Sequence, residues 1–434
     1  MLLKRIQLGL IHTAVAATLV PINSTLNRVM IKELAISATL VAILASLPYL
    51  ISPIQVAIGS FADRHAIGGL RRTPYIALGL LLCVGGLMLS PQVALLIARD
   101  FWAGLGLGLV AFGAWGMGYN LSAVSYLSLA SEISGEKERS RTVAVMFSMM
   151  ILGIIFTALA LSRMLESYTP AALMSAFAKV GLAALGMGLL GLVRLESRVR
   201  RDAGQPAEES YTWGEMLRRL AGNPQARLFF AYLSVLLAAI LGQDILLEPF
   251  AAEAFEMSVR VTTRITSIWG TCFLAGMLVT GALEGRLPKR RLVQVGGWGA
   301  LAGFTLIALS GALTQSHVFY LGLLLLGAAS GVATVSNLSL MLDMTTPASV
   351  GLYMGAWGMA NALSRLLGSL MSGALRDALT YALQNPVLAY VVVFSGMALL
   401  ILASLYLLMR VDVRLFHLQA ERKPEALSNL HLID

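Results

Sequence analysis

The side chains best placed to do chemistry are the few ionisable ones that stand inside long apolar runs. Arg28 lies in Asn23-Ser24-Thr25-Leu26-Asn27-Arg28-Val29-Met30-Ile31, and two acids lie in Gln243-Asp244-Ile245-Leu246-Leu247-Glu248-Pro249-Phe250. Ions at membrane depth are costly and persist where they are paired or where they handle a proton, an ion or a substrate. Asp244 and Glu248 are four residues apart, on one helix face and close enough to repel, so they need a cation. Arg28 and Glu248 occupy corresponding places in the two halves of the chain, at the ends of helices expected to line one cleft. Arg28 is therefore expected to pair with Asp244 or Glu248, either as a functional centre or as a latch between helix ends. Cys83 and Cys272 both sit in apolar runs and read as packing residues. No catalytic triad, metal-ligand cluster or paired acid and base stands out, so an enzyme is not expected.

These charges must be positioned by membrane helices. The chain has 434 residues, 57% hydrophobic and 13% charged, against about 25% charged for a soluble domain. Apolar runs about 20 residues long, without barrel alternation, indicate an all-α polytopic membrane protein. Twelve spans are expected near 7–28, 38–61, 73–96, 101–130, 143–163, 171–193, 228–249, 262–283, 292–313, 318–341, 350–373 and 387–409. They divide into a six-helix bundle at 1–193, a cytoplasmic linker at 194–227, a second bundle at 228–409 and a cytoplasmic tail at 410–434. Within the linker, 211–221 reads as a short amphipathic piece on the membrane surface. The net charge of +9 comes mostly from Lys and Arg beside the spans on one side, which places both termini in the cytoplasm. Interleaved aromatics are missing from these basic clusters, so nucleic acid is not an expected partner.

The halves repeat. Ser125-Tyr126-Leu127-Ser128-Leu129-Ala130-Ser131-Glu132 and Ser336-Asn337-Leu338-Ser339-Leu340-Met341-Leu342-Asp343 close spans four and ten. Six spans per half leave both copies in the same orientation, the parallel-repeat architecture of the major facilitator fold. The loop after span two, with Gly59, Asp63, Arg64, Arg71 and Arg72, resembles the loop signature of that superfamily. Gly59 permits close helix approach, Asp63 can cap or pair across, and the arginines hold the loop at the headgroups. A degraded copy (Gly281, Glu284, Arg286, Lys289, Arg290, Arg291) follows span eight.

Four motifs carry a more specific resemblance. They are Thr25-Leu26-Asn27-Arg28-Val29-Met30-Ile31 with Glu33-Leu34; Arg71-Arg72-Thr73-Pro74-Tyr75-Ile76; Gln243 to Phe250; and Asp343-Met344-Thr345 with Gly351-Leu352-Tyr353-Met354-Gly355-Ala356-Trp357-Gly358. In this order they resemble the signatures of the bacteriochlorophyll-delivery family, also called PucC-like. The sequence departs from the family pattern at Ser24, where Gly is usual, and at Lys32, where an apolar residue is usual. The resemblance implies a membrane protein of a phototroph, in a thylakoid, intracytoplasmic or plasma membrane. It also implies an assembly factor that binds or delivers chlorophyll or bacteriochlorophyll to antenna or reaction-centre/photosystem subunits. Pigment-synthesis enzymes and membrane lipid are further expected partners.

Such a task would require an oxygen or nitrogen ligand for the pigment Mg and flat apolar walls. The candidates inside spans are His12, Asn120, Gln243, Asp244, Asn337 and Asn361, with Trp357, Trp115 and Tyr119 available for stacking. Polar glue between helices is the alternative role for the amides. Two other functions remain open: a proton-coupled secondary transporter of a small solute using Asp244, Glu248 or Glu253, and a docking scaffold that holds no pigment.

Overall fold

The computed structural model describes residues 1–197, 218, 222–345 and 350–416, apart from the side chains at 56, 57, 60, 63, 136, 137, 140, 350 and 351. Most of the expected linker, including all of 211–221 but Arg218, lies outside the described residues, as do the tail beyond 416 and the Asp63 side chain. Helices follow one another through the chain. They are α1 (Leu2–Glu33), α2 in three pieces (Ala38–Ala45, Leu47–Leu50, Gln55–Arg64), α3 (Thr73–Arg99), α4 (Phe101–Gly135), α5 (Arg141–Met164), α6 (Pro170–Leu192) and α7 (Pro224–Ile245, continued by Leu247–Phe255). After them come α8 (Val259–Leu283), α9 (Lys289–Leu313), α10 (Ser316–Asp343), α11 (Val350–Leu383) and α12 (Pro386–Met409). Among the described residues ten are long and apolar enough to cross a membrane; the broken α2 and the more polar α11 pack alongside them and complete twelve.

Local chemistry sets the helix ends. Thr169, Asn223 and Asn385 accept hydrogen bonds from the first-turn amides of α6, α7 and α12, and Ser37 and Asp100 do the same for α2 and α4. Gly135 takes φ +63° and separates α4 from α5. In α2, Pro53 lacks the N–H that would bond the Tyr49 carbonyl, and the Ser52 hydroxyl donates to that carbonyl at 2.7 Å. The Pro48 carbonyl, left over at the break, accepts from the Asn120 amide at 2.8 Å.

The sequence repeat is also a structural one. The loops after α2 and α8 each close on an isolated bridge, Ile67 with Leu70 and Glu284 with Leu287. At the base of α3, Arg72 pairs with Glu132 of α4 at 3.0 Å; at the base of α9, Lys289 pairs with Asp343 of α10 at 2.5 Å. Glu132 and Asp343 are the closing residues of the repeated segment. Glu196, just past α6, accepts from the backbone amides of Arg71 and Thr73, each at 2.7 Å, where a carboxylate complements the α3 N-terminus.

Between the halves, the hydrogen bonds and ion pairs found among the described residues lie toward the end opposite the termini, called the far end below. There α5 meets α8 through Ser267 donating to the Ile155 carbonyl and Ser162 donating to the Arg260 carbonyl. Asp377 of α11 accepts from the Ala38 and Thr39 amides at the start of α2. The far end is thus a continuous seam.

Within each half, glycine sets the helix spacing. A Cβ on Gly331 of α10 would lie 2.0 Å from the Phe273 carbonyl oxygen of α8, whereas one on Gly106 of α4 would meet nothing within 4 Å. Gly331→Val should force α8 and α10 apart at a cost of about 1–3 kcal/mol or more. It should lower the thermal midpoint of the detergent-purified protein, and Gly106→Ala should leave it unchanged; equal midpoints for the two variants would contradict this packing.

Candidate functional site

The site is built where regular helix gives way. In α1 the chain widens into π-turns at Ile22–Leu26 and Val29–Glu33, and in α7 it tightens into a 3-10 turn at Gln243–Ile245. Such irregular turns are common at functional sites, and in a membrane they occur where protein covers the backbone. They bring Ser24, Thr25, Asn27, Arg28, Gln243 and Glu248 into the buried seam.

The expected pairing of Arg28 with Asp244 or Glu248 is not formed. Arg28 is buried, pairs through Nη1 with Glu33, and donates from Nη2 to the Met257 carbonyl at 3.2 Å. The π-turn explains the difference, because its wider repeat aligns residue i with i+5 and so brings Glu33 beneath Arg28. Asp244 instead takes Arg365 of α11 at 2.5 Å, and its other oxygen accepts from the Gln243 amide at 2.8 Å. Glu248 accepts from the Ser24 hydroxyl of α1 at 2.5 Å and from the Thr266 hydroxyl of α8 at 2.7 Å. Its second oxygen is buried without a partner. One carboxylate therefore ties the two bundles through hydroxyls, and another fixes the orientation of a guanidinium. Glu253 is also satisfied, by Arg376 at 2.9 Å.

The other predicted ligands separate into two groups. Asn120 is closed off, since its oxygen accepts from Gln55 at 2.5 Å and its nitrogen donates to the Pro48 and Gly116 carbonyls. Asn337 is closed in the same way, accepting from the Tyr232 hydroxyl and donating to the Ala333 carbonyl. Both amides are glue, so neither fits as a Mg ligand in this arrangement. His12 fits better: it is buried between the Tyr126 and Phe147 rings, with centroids at 5.0 and 4.9 Å, and its Nδ1 has no partner. The Gln243 oxygen is likewise buried without a partner. Asn361 donates to the Trp357 carbonyl one turn earlier, and both side chains are half-buried on the α11 face that also bears Arg365.

The loop motif stands apart from this cluster. A Cβ on Gly59 would touch Val124 of α4 at 3.5 Å, Arg64 is exposed, and the Arg71–Arg72 segment holds the bases of α3, α4 and α6 together. Sequence reasoning passed over Arg365, Tyr49, Ser24 and Thr266. Arg365 carried a usable signal, as an arginine inside an apolar run one and two turns after Asn361 and Trp357. The hydroxyl residues carried none.

Residues 25–416 match the family described as PUCC protein. The chain belongs to the PucC family. "Protein PucC" of Rhodobacter capsulatus is 29% identical over 392 residues, 87% of this chain and 84% of that one. The "Bacteriochlorophyll synthase 44.5 kDa chain" of a Rhodobacter capsulatus strain is 28% identical over 416 residues, 93% and 94% of the two chains. Among solved structures, the nucleoside transporter NupG superposes with a TM-score of 0.73 at 15% identity, over 94% of this chain and 99% of that one. The fold is the major facilitator fold, and the chain is an integral membrane protein.

The Asp244–Arg365 pair should behave as a unit. Asp244→Ala or Arg365→Ala alone strands a charge and should lower folded yield and thermal midpoint, while Asp244→Asn with Arg365→Gln should recover most of the loss. Exchanging the charges of Arg28 and Glu248 should give no such recovery, because the two are not partners. Size-exclusion profiles and thermal midpoints of the four variants in detergent check both statements, and wild-type behaviour of the Arg28/Glu248 exchange would contradict the geometry.

Proposed function

We propose that this protein is an assembly factor for photosynthetic complexes that binds chlorophyll or bacteriochlorophyll and delivers it to light-harvesting or reaction-centre subunits. The observation that carries this reading is similarity along nearly the whole chain to relatives named for PucC and for a bacteriochlorophyll synthase chain. The geometry supports it in two ways. Half-buried Tyr49, Tyr119 and Trp357 provide flat surfaces for a macrocycle, and His12 and Gln243 each keep an unpartnered polar atom that could meet a Mg-bound pigment. The His12 nitrogen or the Gln243 oxygen would hold the pigment Mg, a hard ion that takes such donors, and the chain's part is to orient the ring and exclude water. In this reading both termini face the cytoplasm of a phototroph, and antenna or reaction-centre subunits, pigment-synthesis enzymes and lipid are the partners.

A second reading, a proton-coupled transporter of a small solute, is favoured by one observation: the two bundles are tied toward one end, with a carboxylate, Glu248, in the tie. The two readings differ in outcome. Purification from a phototroph in mild detergent should yield chlorophyll-type absorption together with antenna or reaction-centre subunits, and His12→Phe should lower the pigment-to-protein ratio without lowering yield. Proton-linked uptake into vesicles, with neither pigment nor those subunits, would replace the assembly reading by the transport one. Subunits without pigment would leave only a docking scaffold.

A further inference from the structure

In the cluster, one oxygen each of Gln243 and Glu248 is unpartnered but buried; Arg365 combines spare donors with exposed surface. Asp244 accepts one hydrogen bond on each oxygen, from Gln243 at 2.8 Å and from Arg365 at 2.5 Å. Arg365 keeps donors to spare, because a guanidinium has five in a planar fork, and among the described residues its hydrogen bond to Asp244 runs through Nη1 alone. The ring of Tyr49 lies under the guanidinium, 5.3 Å from its centre, and Tyr119 meets Tyr49 edge-on at 6.5 Å. Arg365 keeps 26% of its side-chain surface exposed and Asp244 23%.

That exposure does not face lipid in the ordinary way. Leu363 and Leu367, the neighbours of Arg365 that are exposed, lie on other faces of α11, whereas Trp357, Asn361 and Arg365 follow one another at four-residue intervals along one face. The ladder is about 12 Å long at 1.5 Å per residue. At its far-end limit stands a cation clamped by Asp244 of α7 and floored by Tyr49 of α2; along it stand an amide and an indole. The cluster thus offers a flat, largely apolar wall with a donor fork at one edge.

We propose that the Arg365 fork, oriented by Asp244 and floored by Tyr49, is a carboxylate-recognition site for a flat ring-bearing ligand. A carboxylate can take two parallel N–H bonds from a guanidinium, whereas an ester carbonyl takes one and brings no charge. This inference rests on the tetrapyrrole binding proposed above and departs from it in the cargo: the site prefers a tetrapyrrole whose propionate is still a free acid over the finished pigment, in which the long alcohol is esterified to it. The reaction consuming the delivered molecule would then belong to the class that esterifies that acid.

The test uses the full chain in detergent and two Mg-free probes, pheophorbide a and pheophorbide a methyl ester, titrated at a pH where the acid is ionised and read by quenching of tryptophan fluorescence. The wild type should bind the acid about tenfold more tightly than the ester, a difference of about 1.4 kcal/mol. Arg365→Gln should abolish the preference while leaving ester affinity in place. Because that variant leaves Asp244 without its cation and can fail to fold, Asp244→Asn with Arg365→Gln is titrated beside it and should show the same loss of preference. Equal affinity for the two probes in the wild type, or a preference that survives in the double variant, overturns the carboxylate site and leaves the pigment reading standing. Binding of neither probe also overturns the carboxylate site; the pigment reading, which includes Mg ligation, is overturned separately by purification without pigment.

Discussion

Charges placed where a membrane protein has little water must be answered by the protein itself, and this requirement organises the molecule. Three acids of α7 and its continuation are answered in two ways. Asp244 takes a guanidinium from α11, Glu253 takes another from α11, and Glu248 takes hydroxyls from α1 and α8. Each answer is a contact between helices that would otherwise share only apolar surface, and apolar surface in lipid gives little direction to packing. The Ser24–Glu248–Thr266 chain crosses from one bundle to the other, so the far end is joined by polar chemistry at a defined register.

The same requirement accounts for the irregular helices. Freed backbone carbonyls in a membrane need donors, and the break in α2 is survivable because Ser52 and Asn120 supply them. The break in turn places Tyr49 beneath Arg365. The π-turns of α1 place Arg28 over Glu33 and leave Ser24 free to reach Glu248. Cleft chemistry and helix distortion are in this sense one feature: the distortions turn polar side chains inward, and those side chains supply the bonds that the distortions give up.

The likeness to transporters and the kinship with PucC proteins bear on different levels. A match at 15% identity to NupG describes the scaffold, and one scaffold supports many tasks. The pigment reading draws instead on relatives matched over most of their length and on the flat aromatic wall beside the Arg365 fork. Transport and delivery share the need for a cleft joined at one end, which is why the fold alone does not choose between them.

Much of the architecture was legible in the chain. Apolar runs, their polar bounds and the repeat ending in Glu132 and Asp343 led to twelve spans in two like-oriented sets, because hydrophobic length and repetition are properties of sequence. The motif residues led to the family for the same reason. The partners of the buried charges were another matter. The correspondence of the two halves predicts Arg28 beside Asp244 or Glu248, but it does not reveal the π-turn that brings Glu33, five residues on, within reach of Arg28 first. Asn120 and Asn337 looked like free ligands because a one-dimensional reading does not reveal which carbonyl, hydroxyl or amide from a distant helix already occupies them. Arg365 found Asp244 across more than a hundred residues through the docking of α11 on α7, set by contacts such as Gly368 against Gly242. Pairing between remote charges depends on helix rotation and depth, and these are settled only when all the helices pack together.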